Sequence, residues 1–168
     1  MKKILRIFLI FIIIAVTLIP VVANNTYSLK AGVSIDEVPD AIFGSWSVQA
    51  QIVDSSNYKR FKPKSSDLWN ISRQGNVLNL SNPFTGASAD VSINAAQGNV
   101  VSFTRKIHFD NHQVLIDVVT IRLNENTFSG INEIKLEQYS PVDNRLVKSD
   151  TARYEIKGGK ISGENVLK

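Results

Sequence analysis

The residues best suited to metal chemistry lie in one short segment, from His108 to His112. These two histidines are the only ones in the chain, and Asp110 lies between them. In an extended strand the three side chains would share one face, where two imidazoles and a carboxylate can hold zinc or iron. Asp110-Asn111 also has the composition of a hairpin turn, which would break that face. We expect exposed turn histidines and no metal, with a metal-dependent activity as the less favoured alternative.

Two charged residues, Arg105 and Asp117, each interrupt a run of alternating apolar side chains. Because an isolated buried charge is costly, such residues pair with each other or reach solvent. A pair would be structural, whereas an unpaired Arg105 at the mouth of a barrel would hold a ligand carboxylate through two N–H donors. The structural or exposed role is favoured. The inward phase around Asp117 is also open, because Val114, Ile116 and Val118 compete for the same face.

The rest of the sequence offers little for catalysis. The absence of cysteine excludes a thiol nucleophile. A serine triad would need a histidine outside the predicted turn, and no glycine-rich phosphate loop or dinucleotide fingerprint is present. We therefore predict a protein that is not an enzyme, with no catalytic residues and no cofactor.

The first 23 residues are typical of a signal peptide. Lys2, Lys3 and Arg6 precede an apolar run at 7–19, and Pro20 comes before small residues. This run is shorter than the roughly 18 to 20 residues that span a bilayer, so a retained anchor is the less favoured reading. No cysteine follows the run, which argues against a lipoprotein. We expect a periplasmic or secreted protein with no membrane span in its mature form.

Removal of this segment would leave a nearly neutral chain without disulfides. Three of the 19 basic residues lie in the segment, so 16 remain against 15 acidic ones. The one basic cluster, at 59–64, is typical of a solvated loop, and we expect no nucleic-acid partner. Without cysteines, an exported domain depends on its hydrophobic core. We predict a monomer with an extended lead-in at 24–41, including a short helical turn near 35–38, and one domain at 42–168.

Apolar and polar residues alternate along most of that domain, as in half-buried strands. Trp46, Val48, Ala50 and Ile52 fall on one face of the first such run. Turn signals separate about eight runs, and Gly158-Gly159 is expected to end the last of them. Short connections favour an up-and-down meander, and closure removes its exposed edges. The fold predicted is all-β, a single eight-stranded antiparallel up-and-down barrel.

Gly44-Ser45-Trp46, at the start of the first strand, resembles the Gly-x-Trp signature of lipocalins and lipocalin-like bacterial proteins, which are calycin-type barrels. The resemblance covers 42–163 in architecture. It implies that Trp46 closes one end of the barrel and that an arginine of the last strand, here Arg153, packs across it. Gly44 would allow the chain to cross that end closely. The family's Thr-Asp-Tyr-like motif and its cysteines are absent, so the resemblance is to a divergent member.

That architecture predicts that a ligand would enter the mouth opposite Trp46. Small inward residues such as Ala50, Gly130 and Ala152 leave room for a cavity or, equally, accommodate large aromatic rings. We expect a small hydrophobic or amphipathic ligand such as a lipid. The alternative is a non-enzymatic interaction module, an assembly factor or an inhibitor-like protein with a filled barrel. The candidate ligand-binding side chains are Trp69, Phe103, Arg105, Phe128 and Tyr154.

Overall fold

The computed structural model describes residues 33–83 and 88–163. The predicted signal peptide, the lead-in before residue 33 and most of the loop at 83–86 lie outside these residues. Within the described ranges, no helix is long and apolar enough to cross a membrane.

Eight antiparallel strands form the domain. Each strand pairs with the next in the chain, and the last pairs with the first, so the sheet closes into a barrel. Sequential pairing and closure confirm the predicted all-β class and meander order, and every strand pairs on both sides along at least part of its length. The strands are β1 (Gly44–Ser55), β2 (Lys64–Gln74), β3 (Val77–Ser81), β4 (Ser88–Gln97), β5 (Val100–Phe109), β6 (Gln113–Asn124), β7 (Thr127–Tyr139) and β8 (Leu146–Ser162).

The last strand is longer than the sequence predicts. Gly158 and Gly159 lie inside β8, where they pair with β1 and β7. A Cβ atom at Gly158 would come within 2.2 Å of the Phe128 ring, so the bare backbone makes space for that ring. The prediction that Gly158-Gly159 ends the strand is therefore wrong, because one glycine serves packing and not termination.

Two short 3-10 helices, Ile35–Glu37 and Asp40–Ile42, precede β1 and cover one end of the barrel. The Ser34 hydroxyl accepts a hydrogen bond from the Asp36 backbone N–H and so caps the first helix. An ion pair of 2.6 Å between Asp36 and Arg73 joins this helix to β2. The helical turn predicted near 35–38 is confirmed. The buried apolar residues of this cover are Ile35, Val38, Ala41 and Ile42.

Strand β6 faces inward with Asp117, Val119 and Ile121, all of which are buried. Ile116 and Val118 lie on the outer face and are only partly buried. The pairing register of β5 and β6 determines which residues of β6 face inward. Asp117 lies directly opposite Arg105, and Val119 lies opposite Phe103.

Candidate functional site

Trp46 fills the end of the barrel that the 3-10 helices cover, hereafter the closed end. The side chain is 0% exposed, and its Nε1 donates a hydrogen bond of 2.7 Å to the carbonyl oxygen of Ile42. Its ring lies 5.1 Å from that of Phe128, which in turn stacks on Trp69 at 6.0 Å. The structure therefore brings two of the predicted ligand contacts, Trp69 and Phe128, into the packing around Trp46.

Gly44 permits a close chain crossing at the same end. Its φ is +127°, and an added Cβ would lie 2.2 Å from the carbonyl oxygen of Ser162. The positive φ disfavours any residue with a side chain at this position, and a Cβ atom would fit only if the end of β8 shifted. The contact supports the interpretation of Gly44 as the residue that lets backbone pass closely.

The cation over Trp46 is Lys160, so the prediction of Arg153 at this place is wrong. The Lys160 Nζ lies 5.1 Å from the ring centroid and donates a hydrogen bond of 2.8 Å to the carbonyl oxygen of Ala41. Arg153 is on the outer surface, 54% exposed, with its Nη1 3.9 Å from Glu133. The two residues are seven positions apart, and an odd separation in a strand places side chains on opposite faces.

The other end of the barrel, hereafter the open half, is organised in three rows of inward side chains that cross β5 to β8. Consecutive inward residues of a strand belong to successive rows. The lower row lies nearest the closed end, the middle row carries the pair of Arg105 and Asp117, and the upper row is at the mouth. The rows are Phe103, Val119, Asn132 and Tyr154; then Arg105, Asp117, Ile134 and Ala152; then Ile107, Leu115, Leu136 and Asp150.

Arg105 and Asp117 form a direct ion pair in the middle row, through Arg105 Nη2 and Asp117 Oδ2. The pair is the structural alternative that the sequence left open. Asp117 is 1% exposed, and its burial raises the pKa of its carboxyl group, although the charge of Arg105 acts in the opposite direction. The site is therefore a buried charge pair with no net charge.

Three polar atoms around this pair have no hydrogen-bond partner among the described protein atoms. They are Arg105 Nε, Asp117 Oδ1 and the Oδ1 of Asn132, a residue 8% exposed in the adjoining row. The Asn132 side chain nevertheless lies within hydrogen-bonding reach of the Asp117 carboxyl group, and this contact lowers the pKa of that group against the larger effect of burial. Sequence reasoning missed Asn132. The available signal was a polar residue on the inward phase of β7, between Phe128 and Ile134.

The upper row above this polar cluster has three apolar side chains and one buried carboxylate, Asp150, which pairs with Lys148 at 2.9 Å. Ile107, Leu115 and Leu136 point inward from three adjacent strands and remain partly exposed, as does Ile134 beside Asp117. Inward side chains at the closed end are buried far more completely. The open half thus combines a polar floor with an accessible apolar wall, which is the usual make-up of a small-molecule site.

Tyr154 and Phe103 complete the set of predicted ligand contacts, and both lie in the lower row. Phe103 is fully buried among core residues. The Tyr154 hydroxyl donates a hydrogen bond of 3.0 Å to the carbonyl oxygen of Lys62, in the β1–β2 connection. Burial raises the pKa of this phenol. Tyr154 therefore holds that connection against the barrel mouth, where Phe61 also packs on the core.

His108 and His112 are exposed at the β5–β6 hairpin, and His112 adopts a positive φ of 59° in its turn. The predicted turn at Asp110-Asn111 is confirmed. Among residues 33–83 and 88–163, no group of three or more potential metal ligands comes together. The four basic residues of the cluster at 59–64 are exposed.

Exposed apolar side chains concentrate around the open half. They come from the β1 end with the following connection, from the end of β5, and from the β7–β8 hairpin. Hydrogen bonds from Ser56 and Asn57 to Thr151 and Asp150 place two of these segments side by side. The exposed residues, hereafter the apolar rim, are Val53, Tyr58, Phe109, Val142, Leu146 and Val147.

The geometry defines a closed antiparallel β-barrel with one sealed end and one accessible end, an architecture compatible with a calycin-type barrel. Comparison of the chain with models of protein families finds no match, and neither does comparison with curated proteins or with solved structures.

Proposed function

We propose that the protein is an exported, lipocalin-like β-barrel that binds a small hydrophobic or amphipathic molecule in its open half. One observation carries the proposal. Ile107, Leu115 and Leu136 point into the open half and remain partly exposed, above the buried pair of Arg105 and Asp117. A ligand with a polar group and an apolar chain matches both parts of the site.

The buried charge pair also favours binding over a purely structural core. A barrel that needed only a stable core would favour apolar side chains at these positions, since the burial of charged groups is costly. The site holds no arrangement of nucleophile and base, so the proposal is binding without catalysis.

Export to the periplasm or the medium is part of the same proposal. It rests on the positive, then apolar, then small-residue pattern of the first 23 residues. A monomer is the form proposed, because closure of the sheet leaves every strand of the barrel paired on both sides.

Native mass spectrometry of the gently purified protein tests this function, together with organic extraction of the same sample. We expect a bound small molecule that extraction releases and that mixed lipids restore. A protein that carries no small molecule, and takes none up from lipid mixtures, would contradict ligand binding.

The second candidate is a non-enzymatic interaction module that binds a protein through its rim. The apolar rim favours it, because Tyr58, Val142 and Val147 are 61%, 92% and 66% exposed and lie around the same end of the barrel. The replacement of Val142 and Val147 by serine separates the two candidates. Ligand uptake should survive these changes, whereas an interaction module should lose its partner.

A further inference from the structure

We propose that the apolar rim and the basic connection beside it dock the open half onto an anionic lipid membrane. The exposed apolar side chains would enter the interface of the bilayer, and lysines of the β1–β2 connection would lie at the level of the lipid phosphates. The protein would lie on the membrane without spanning it. This inference concerns the outer surface of the barrel and goes beyond the proposed ligand binding, since it would hold for an empty barrel as well.

Three neighbouring connections of the open half form one continuous surface. The Ser56 backbone N–H donates a hydrogen bond of 3.0 Å to the carbonyl oxygen of Thr151, which joins the β1–β2 connection to β8. The Tyr139 N–H donates one of 2.9 Å to the carbonyl oxygen of His112, which joins the end of β7 to the β5–β6 hairpin. The β7–β8 hairpin lies between these two contacts. The apolar rim is therefore carried by segments that are held together.

The exposed apolar side chains of this surface suit the interface of a bilayer. Val142, in the β7–β8 hairpin, is almost completely exposed, and Val147 follows it on β8. Transfer of such side chains into the interface removes apolar area from water. The Tyr58 ring, on the neighbouring connection, has the apolar body and polar hydroxyl that are typical of interfacial residues. Among the described residues, the large apolar side chains exposed near the closed end are only Val77 and Ile161.

The segments that cover the two ends of the barrel carry opposite charge. The β1–β2 connection with the first residue of β2, residues 56–64, contains four basic residues and no acidic one. Residues 33–43, which cover the closed end, contain three acidic residues and no basic one. An anionic surface would attract the first segment and repel the second, and so would orient the barrel with its rim toward the lipid.

The rim keeps a positive charge after its ion pairs are taken into account. In the β7–β8 hairpin, Arg145 lies 3.3 Å from Asp143. At the start of β8, Asp150 pairs with Lys148 at 2.9 Å and lies 3.8 Å from Arg60. The charged residues of the rim that form no ion pair with a described residue are Lys59, Lys62, Lys64, Asp54 and Asp110. The lysines outnumber the aspartates, and their charges are available to lipid phosphates.

The type of cation favours lipid over a protein partner. Protein interfaces are enriched in arginine and depleted in lysine, whereas a lipid phosphate is bound by either. Three of the four cations at 56–64 are lysines. Protruding apolar side chains can also enter a bilayer interface together, without the shape complementarity that a protein surface requires.

Co-sedimentation of the exported protein with vesicles of two compositions tests the docking. One set is phosphatidylcholine alone, and in the other about one third of the lipid is phosphatidylglycerol. We expect at least about tenfold tighter binding to the anionic vesicles, weakened by added salt. Equal binding to both sets, or binding to neither, would overturn the inference. Ligand uptake is measured separately by native mass spectrometry, so the proposed function would survive that result.

Two pairs of matched variants test which end makes the contact. Val142→Ser/Val147→Ser should lower the affinity for anionic vesicles at least about tenfold, because two apolar contacts with the bilayer are lost. Val77→Ser/Ile161→Ser makes the same change at exposed positions near the closed end and should leave the affinity unchanged. Full binding by the rim variant would show that the rim serves another partner, such as a protein, and the inference would fail.

The second pair of variants tests the charge. Lys59→Gln/Lys62→Gln should weaken binding to anionic vesicles about tenfold or more, since each lysine near the surface contributes to the attraction. Arg122→Gln/Lys157→Gln removes two exposed cations near the closed end and is the control for net charge alone. Equal losses in the two variants would mean that the barrel has no preferred orientation on the membrane, which contradicts docking through the rim.

Discussion

The two ends of the barrel differ in how their buried polar groups are paired. Both place a cation inside the barrel. At the closed end Lys160 lies over Trp46 and donates to a backbone carbonyl oxygen, and the Trp46 indole N–H is also paired. In the open half, Arg105 pairs with Asp117 and three polar atoms of the cluster stay unpaired. The polar groups around Trp46 at the closed end are paired within the chain, whereas the cluster in the open half keeps polar atoms without a partner among the described protein atoms.

Under the proposed function, stability and recognition would depend on different parts of the same core. The closed end has the 3-10 helices, the Trp46–Phe128–Trp69 stack and nearly complete burial. The open half keeps polar groups that weaken packing. Substitutions at the two ends should therefore change the free energy of unfolding with different size and even different sign.

The largest effect is expected from Trp46→Ala. Removal of a fully buried indole should lower the free energy of unfolding by about 3–5 kcal/mol. Ile107→Ala in the upper row should lower it by only about 1 kcal/mol, because that side chain is already partly exposed. Urea unfolding followed by circular dichroism measures both values. Similar losses of unfolding free energy in the two variants would contradict the proposed difference between the two ends.

The double variant Arg105→Met/Asp117→Leu should have the opposite sign. Replacement of a buried ion pair by apolar side chains of similar volume is often neutral or stabilising by about 1–4 kcal/mol. We expect an unchanged or raised free energy of unfolding in the same urea experiment. A loss of several kcal/mol would show that the pair holds the barrel together.

A smaller effect distinguishes the two cations of β8. Lys160→Met removes a cation–π contact and a hydrogen bond to the carbonyl oxygen of Ala41, and it should cost about 1–2 kcal/mol. Arg153→Met removes only an exposed ion pair at 3.9 Å and should stay within about 0.5 kcal/mol of the wild type. If Arg153 proved the more costly substitution, the assignment of Lys160 to the closed end would fail.

The smallest effect concerns pH. The pKa of Asp117 is raised in the folded protein above its ordinary value of 3.8, so the folded state binds this proton more tightly than the unfolded state. Stability relative to Asp117→Asn should therefore increase as the pH falls from neutral through the folded pKa toward 3.8. Urea unfolding of both proteins at several pH values measures the difference. A difference that shrinks with falling pH would mean that Arg105 lowers the pKa more than burial raises it.

Much of the fold follows from the sequence because strand alternation and turn composition are local properties. The inward phase of β1 and the order of the strands required no long-range information. The roles of Gly44 and Trp46 came from the resemblance to lipocalins. The interruptions at Arg105 and Asp117 left two alternatives, a pair or an exposed arginine, and only the register of β5 and β6 selects the pair.

The features that were predicted wrongly or missed depend on contacts between segments distant in the sequence. Gly158 has the composition of a strand end, and only the Phe128 ring over it explains why β8 continues to Ser162. Asn132 is a polar residue on the inward phase of β7, but its relation to Asp117 exists only once β6 and β7 are in register.

A two-dimensional NMR titration of the isotope-labelled protein with mixed lipids tests the central claim most directly. Our account predicts that the backbone amide signals of Leu115, Asn132 and Leu136 shift most, while the indole N–H signal of Trp46 stays in place. Shifts centred on Trp46, or confined to Tyr58 and Val147 of the apolar rim, would contradict the assignment of recognition to the open half.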